Sequence, residues 1–260
     1  MTSSNKRWRR KPVLICFLIV GLGVIFVAAE ALYVIYSGTA VQAPNIPRQT
    51  SKSGSSATTL TYVVMGDSTS IGQGAPYKVS IGPKSMEQLA QKYQVSYTNL
   101  GVSGARTQDV VTTQLPAATA LKPDLVLLSI GANDATHLTS GKSLSSNMSK
   151  IASQLIAANC NVKIVLTGSP AMGSVLRFPW PLKQFMGLRE KQVNQAYAPV
   201  IAAKQLTFAE LAIKTGPAFA QHPDYFAGDK FHPNAAGYAV WVPVINGALA
   251  KALASQPSHC

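Results

Sequence analysis

Four short segments hold the groups from which a hydrolytic site could be built: Gly66-Asp67-Ser68, Asn99-Leu100-Gly101-Val102-Ser103-Gly104, Gly131-Ala132-Asn133-Asp134 and Asp229-Lys230-Phe231-His232-Pro233. A serine hydroxyl is a weak nucleophile until a neighbouring base takes its proton. His232 is the candidate base for Ser68. Asp229, three residues earlier, can accept from the imidazole and fix its tautomer and orientation. Pro233 restrains the loop that presents the histidine. Attack on an acyl carbon also needs donors aimed at the oxyanion that develops. Gly104 can offer a backbone N–H with no side chain in the way, Asn133 an amide and Ser68 its own N–H. Each of these residues has a plainer use. Ser68 could cap a helix, Gly104 could serve a turn, and Asn133-Asp134 could be a cap or turn pair. Asp229–Pro233 could be a polar loop. Their order along the chain and their place on the elements favour the chemical reading.

Those elements are legible as apolar runs. Strand-like segments occur at 60–65, 95–100, 124–130 and 162–167, with a weaker one at 206–209. Helical patterns lie between or after them, around 84–93, 107–115, 144–158, 185–203 and 235–254. Alternating strands and helices predict a parallel sheet covered on both faces, which is why several of the runs are apolar without interruption. In such sheets the ligand crevice lies beyond the carboxyl ends of the strands. Ser68 follows the first run, Gly104 the second and Asn133 the third, so three parts of the site converge on one edge. Ser68 is expected at a strand-to-helix transition.

In this order and at these distances, the four segments resemble the signature blocks of the SGNH hydrolases, also called GDSL-type esterases and lipases. The resemblance covers roughly residues 60–254. It implies a three-layer α/β/α sandwich with a central parallel, flavodoxin-like sheet, and acyl-ester hydrolysis through an acyl-enzyme on Ser68. It also implies an oxyanion hole made by Ser68, Gly104 and Asn133, and no cofactor. The first block departs slightly, with Thr69 where the family has leucine. Asp67 is expected to brace the turn. No Gly-x-Ser-x-Gly elbow surrounds Ser68, which argues against the α/β-hydrolase fold. No His/Cys/carboxylate grouping has metal-ligand spacing, so no metal is expected. His137 reads as a surface residue near the site, His222-Pro223-Asp224 as loop and His259 as tail.

The chain begins with Lys6, Arg7, Arg9, Arg10 and Lys11 and no acid, followed by apolar residues from Val13 to Tyr36 broken only by Glu30. As a helix this stretch would be about 36 Å long, enough to cross a hydrocarbon core. The basic flank puts the N-terminus in the cytoplasm and the rest of the chain outside. The expected organisation is a basic cytoplasmic segment (1–11), a transmembrane signal-anchor (12–36), a flexible stalk (37–59) and a hydrolase domain (60–260). A cleaved signal peptide is the rival, because Ala29-Glu30-Ala31 and Val41-Gln42-Ala43 resemble small-residue cleavage sites. The first would cut inside the apolar run, and the second lies beyond a normal leader.

Residues 61–260 carry 16 Lys and Arg against 9 Asp and Glu, a net +7. That surface suits anionic lipid or an acidic wall polymer as partner, or is simply solvated. Nucleic acid is not expected, because no Arg/aromatic motif accompanies the charge. Cys16, Cys160 and Cys260 have no paired spacing; a Cys160–Cys260 bridge is compatible with an extracytoplasmic location, but nothing in the sequence requires it.

Residues 169–190 carry Met172, Val175, Leu176, Phe178, Trp180, Leu182, Phe185, Met186 and Leu188 among three prolines, and leave the sheet at the site edge. Phe178, Trp180 and Phe185 are the candidate substrate-binding side chains, either as an apolar flap or as a loop tucked onto the core. Arg177, Lys183 and Arg189 could meet a phosphate or an anionic surface. A lipid-like acyl ester is the favoured substrate, as in a lysophospholipase or carboxylesterase. A carbohydrate or peptidoglycan O-acetyl ester is the alternative. Acyl transfer and a non-catalytic binding domain are further readings.

Overall fold

The computed structural model describes residues 10–36, 42–43, 51–53, 58–255 and 260. The chain divides into two compact units, Met1–Gly38 and Thr39–Cys260. The first contains one helix, α1 (Arg10–Tyr36), whose side chains from Leu14 to Val27 are apolar and exposed. Of the expected basic segment, residues 1–9 lie outside the described residues, as does most of the expected stalk.

The second unit is built on a six-stranded sheet: β1 (Ser51–Ser53), β2 (Thr59–Gly66), β3 (Gln94–Asn99), β4 (Leu125–Ser129), β5 (Lys163–Leu166) and β6 (Thr207–Phe208). The strand order is β1-β3-β2-β4-β5-β6. Five strands are parallel, and β1 adds an antiparallel edge beside β3, inside the segment expected to be stalk. All five residues of β4 are buried, as its apolar sequence requires in a sheet covered on both faces. Without β1 the order is that of flavodoxin-like sheets, in which β2 and β4 flank the point where the winding reverses. The crevice therefore opens beyond Gly66 and Ser129.

Helices α2 (Ile81–Leu89), α8 (Leu211–Gln221) and α9 (Ala235–Ala254) pack together, with α9 on β5 and β6. A second group comprises α3 (Thr107–Asp109), α4 (Leu115–Ala120), α5 (Ala132–Thr136), α6 (Gly141–Ala158) and α7 (Leu182–Ala203). α9 is long and apolar enough to cross a membrane, but Tyr238, Trp241, Ile245 and Leu249 bury its inner face in the second unit. The expected parallel sheet and helical layers are present. Two features differ from the sequence reading. α5 and α8 were not among the expected helices, and the chain after Ser68 runs through turns and a short 3-10 segment, Tyr77–Val79, before α2 begins. The disulfide left open by the sequence is present, joining Cys160, just before β5, to Cys260 with 5.2 Å between their Cα atoms.

Candidate active site

β2 ends in a glycine because nothing larger fits there. Gly66 has φ +134°, and a Cβ on it would lie 1.9 Å from the Ser129 carbonyl oxygen at the end of β4. The close approach lets the Asp67 N–H donate to that carbonyl at 3.0 Å. Asp67 then braces the turn as expected, its Oδ1 accepting from the Thr69 N–H at 2.9 Å and the Thr69 hydroxyl at 2.8 Å. The Thr69 hydroxyl also bonds Ser129 Oγ at 2.7 Å, so the departure from leucine puts a polar link beside Ser68. Burial pushes the Asp67 carboxyl up to about 6, against the bonds from Thr69 and the charge of His232.

On this turn Ser68 Oγ lies 2.8 Å from His232 Nε2. His232 Nδ1 lies 2.5 Å from Asp229 Oδ2. An ionised carboxylate can only accept, so the proton of this pair sits on Nδ1, leaving Nε2 free to take the serine proton. The Asp229–His232 loop holds itself in shape. Asp229 Oδ1 accepts from the backbone N–H of Phe231 and of His232, each at 2.9 Å. Lys230 takes the left-handed conformation at φ 57° between them. Burial opposes ionisation of Asp229, but the His232 side chain, the two backbone donors and the His232 charge outweigh it and hold the carboxyl below its ordinary range. Beyond the loop, Asn234 Oδ1 caps α9 by accepting from Ala236 and Gly237, which fixes where the chain after His232 enters the helix.

Gly104 follows β3 with φ +80°, and a Cβ there would meet nothing within 4 Å. The glycine is therefore suited to its backbone shape, and the space beside it is open toward the cleft. Among the described residues, neither the Gly104 nor the Ser68 N–H finds an acceptor. Asn133 sits in the first turn of α5, behind Gly131, whose Cβ would meet the Ser169 backbone nitrogen at 2.8 Å. One Asn133 amide proton goes to the Ala105 carbonyl at 3.1 Å, and the second remains for a ligand. Beside it the fully buried Asp134 accepts from the Thr107 backbone and hydroxyl, each at 2.9 Å, tying α5 to α3. Ser68, His232 and Asp229 are thus bonded in series beyond the carboxyl end of β2, and Gly104 and Asn133 follow the carboxyl ends of the neighbouring strands β3 and β4.

The aromatic candidates are placed differently from one another. Phe178 is buried and packs edge-on against Phe231, 6.1 Å between centroids, while Trp180 and Phe185 are 69% and 45% exposed. A cavity of about 30 Å³ is lined by His232, Thr69, Met172, Val175, Phe226 and Phe231, and by none of those three candidates. A larger groove of about 580 Å³ between α7 and α8 shares Ala171 and Ser174 with that cavity. His137 is exposed and bonds the Asn133 carbonyl through Nδ1 at 2.8 Å; His222 stacks on Tyr225, and His259 lies outside the described residues. Sequence reasoning noticed Thr69 only as a mismatch, and passed over Gln114, which lay inside a helical pattern and whose amide bonds the N–H and carbonyl of Gly66 beside Ser68.

The sheet order and the hydrogen-bonded series Ser68–His232–Asp229 have the form that the SGNH resemblance implies. The chain belongs to the GDSL-like lipase/acylhydrolase family, whose model matches residues 64–240. It is 26% identical over 203 residues to the GDSL-like esterase Rv1075c of Mycobacterium tuberculosis, an alignment covering 75% of this chain and 63% of that protein. Its fold is similar to that of TesA, with a TM-score of 0.62 and 22% identity over 74% of this chain and 98% of that one. It is also similar to phospholipase A1 from Streptomyces albidoflavus NA297, with a TM-score of 0.57 and 20% identity over 73% and 99% of the two chains.

Proposed function

We propose that the protein is a membrane-anchored, extracytoplasmic esterase that hydrolyses lipid-like acyl esters through an acyl-enzyme on Ser68. The observation that carries this reading is the unbroken path from Ser68 Oγ through His232 to Asp229, beside three groups with donor capacity to spare. As Ser68 Oγ bonds to the ester carbon, its proton passes to His232 Nε2, and Asp229 stabilises the imidazolium. The carbonyl oxygen, now an anion, lies toward the N–H groups of Ser68 and Gly104 and the Asn133 amide. Collapse breaks the bond to the alcohol, which leaves with the proton from His232. Water then attacks the acyl-enzyme, giving one proton to His232, and release of the acid returns that proton to Ser68.

The location rests on two independent supports. α1 is an apolar helix behind a run of basic residues. The Cys160–Cys260 bridge suits an oxidising compartment outside the cytoplasm. The lipid-like substrate is supported by the exposed Trp180, Phe185 and Leu188, and by the groove between α7 and α8 that Leu188 lines together with Lys183 and Lys191. Such a surface suits anionic lipid more than an acidic wall polymer, because its exposed residues are large and apolar as well as basic.

One observation favours the second reading, an envelope O-acetyl esterase: the cavity touching His232, at about 30 Å³, has room for only a few non-hydrogen atoms. Para-nitrophenyl esters from acetyl to palmitoyl, with Ser68→Ala as control, separate the two. Serine-dependent turnover rising toward octanoyl and beyond supports the lipid-like ester. Turnover confined to acetyl transfers the assignment to the second reading. Activity that survives Ser68→Ala removes Ser68 from the mechanism.

A further inference from the structure

Gln114 is almost wholly buried and spends its side-chain amide on a single residue. Its Oε1 accepts from the Gly66 N–H and its Nε2 donates to the Gly66 carbonyl, both at 2.8 Å. This reciprocal pair has the form of a rung in a sheet, and it falls where the ladder is only half made. The β2–β3 pairing ends at Val64 opposite Asn99; beyond it the Val102 N–H still donates to the Gly66 carbonyl at 3.1 Å, but among the described residues no backbone carbonyl accepts from the Gly66 N–H. On the opposite side Gly66 is paired with Ser129 of β4. Gln114 therefore takes up the Gly66 N–H and adds a second donor to its carbonyl, two positions before Ser68.

The local backbone that delivers this side chain is itself unusual. Between α3 and α4 the chain makes a π-helical turn, Val110–Gln114, in which the Leu115 N–H reaches back five residues to the Val110 carbonyl. Pro116 follows at once and has no N–H to return to Thr112, so the ordinary four-residue pattern cannot run through this point. The extra residue in the wide turn changes the face on which the next side chains project. Here it leaves Gln114 buried against the end of β2.

We infer that Gln114 is a positioning residue for the nucleophile: by clamping both polar groups of Gly66 it fixes the turn that sets Ser68 Oγ against His232 and aims the Ser68 N–H into the cleft. The inference rests on Ser68 being the nucleophile, and it assigns Gln114 no contact with substrate.

The test uses the full chain with Gln114→Met and Gln114→Glu. Methionine fills the same volume without either hydrogen bond. Its kcat is expected to fall about 10- to 100-fold with KM within about twofold, since misplacement of a reacting group by as little as 1 Å can cost about 100-fold. Fluorophosphonate labelling of Ser68, located by peptide mass spectrometry, should slow in parallel. In Gln114→Glu, a protonated carboxyl restores both the donor and the acceptor, whereas an ionised one can only accept. The ratio of Gln114→Glu to wild-type kcat should therefore climb toward one as pH falls, division by wild type removing the titration of Asp67, Asp134, Asp229 and His232. A purely structural glutamine would lower the melting temperature and leave both kcat and this ratio flat. Wild-type labelling at Ser68 with an unslowed, folded Gln114→Met overturns the inference about Gln114 alone. Failure of wild type to label overturns the reading of Ser68 beneath it. If Gln114→Met does not fold, a ratio for Gln114→Glu that stays constant with pH overturns the inference.

Discussion

Asp67 and Asp229 both feel the charge of His232, yet their surroundings shift them in opposite directions. Asp229 is held ionised by three hydrogen bonds from its own loop, the condition under which it can orient a histidine. Asp229→Asn keeps the size but disturbs the imidazole tautomer, so kcat should drop by about 10⁴ while the circular dichroism spectrum is unchanged. If Asn133 donates to the oxyanion as proposed, Asn133→Ala should lower kcat about 10²- to 10³-fold with little change in KM. The residues of this constellation could be read from the sequence because each chemical role demands one of a few side chains. Gln114 and the Thr69 hydroxyl could not, since a buried glutamine and a threonine after the nucleophile have no distinctive spacing. What they bond depends on which groups the fold brings beside them: the Gly66 backbone for Gln114, and Asp67 and Ser129 for Thr69.

Among the elements, the strands were legible and the turns between them were not. β4 is a run of apolar residues with both faces covered, and its sequence allows little else. α5 is five residues long, begins at a glycine with φ +131° and carries no apolar period. It exists because Gly131 packs on Ser169 and because Asp134 is bonded to Thr107. The end of β2 is the least tolerant junction. In Gly66→Ala the new Cβ would be forced onto a backbone oxygen 1.9 Å away, so β2 and β4 must part. Soluble yield and melting temperature should both fall, with activity lost. Gly104→Ala meets open space, so its folding cost should be limited to the strain of a positive φ, about 1–2 kcal/mol. Comparing the two melting temperatures separates crowding from backbone strain.

At the scale of the molecule, the buried acids set how stability varies with pH. Asp67 is held up to about 6 and Glu190 to about 7, both by burial, against ordinary values of 3.8 and 4.5. The folded chain therefore keeps protons that the unfolded chain has lost, and stability should decline as pH rises from about 4 to 7. For Asp67 the shift corresponds to about 3 kcal/mol. The depressed Asp229 works the other way and only in acid, losing its contribution as pH falls below about 4. Urea unfolding at pH 5 and 7.5 should show the decline, and Asp67→Asn should flatten it. The Cys160–Cys260 bridge joins residues 100 positions apart. Replacing both cysteines by serine should cost about 2–5 kcal/mol of stability and leave kcat unaltered, because the bridge lies before β5, at the sheet edge opposite the site. That same bridge closes a loop of chain that contains Asp229 and His232 and leaves Ser68, Gly104 and Asn133 outside it. One protease cut within the loop, such as after α8, would leave a single covalent molecule that still holds every group of the site. A cut between Asn133 and Cys160 would divide Ser68 from His232 into two fragments joined by packing alone.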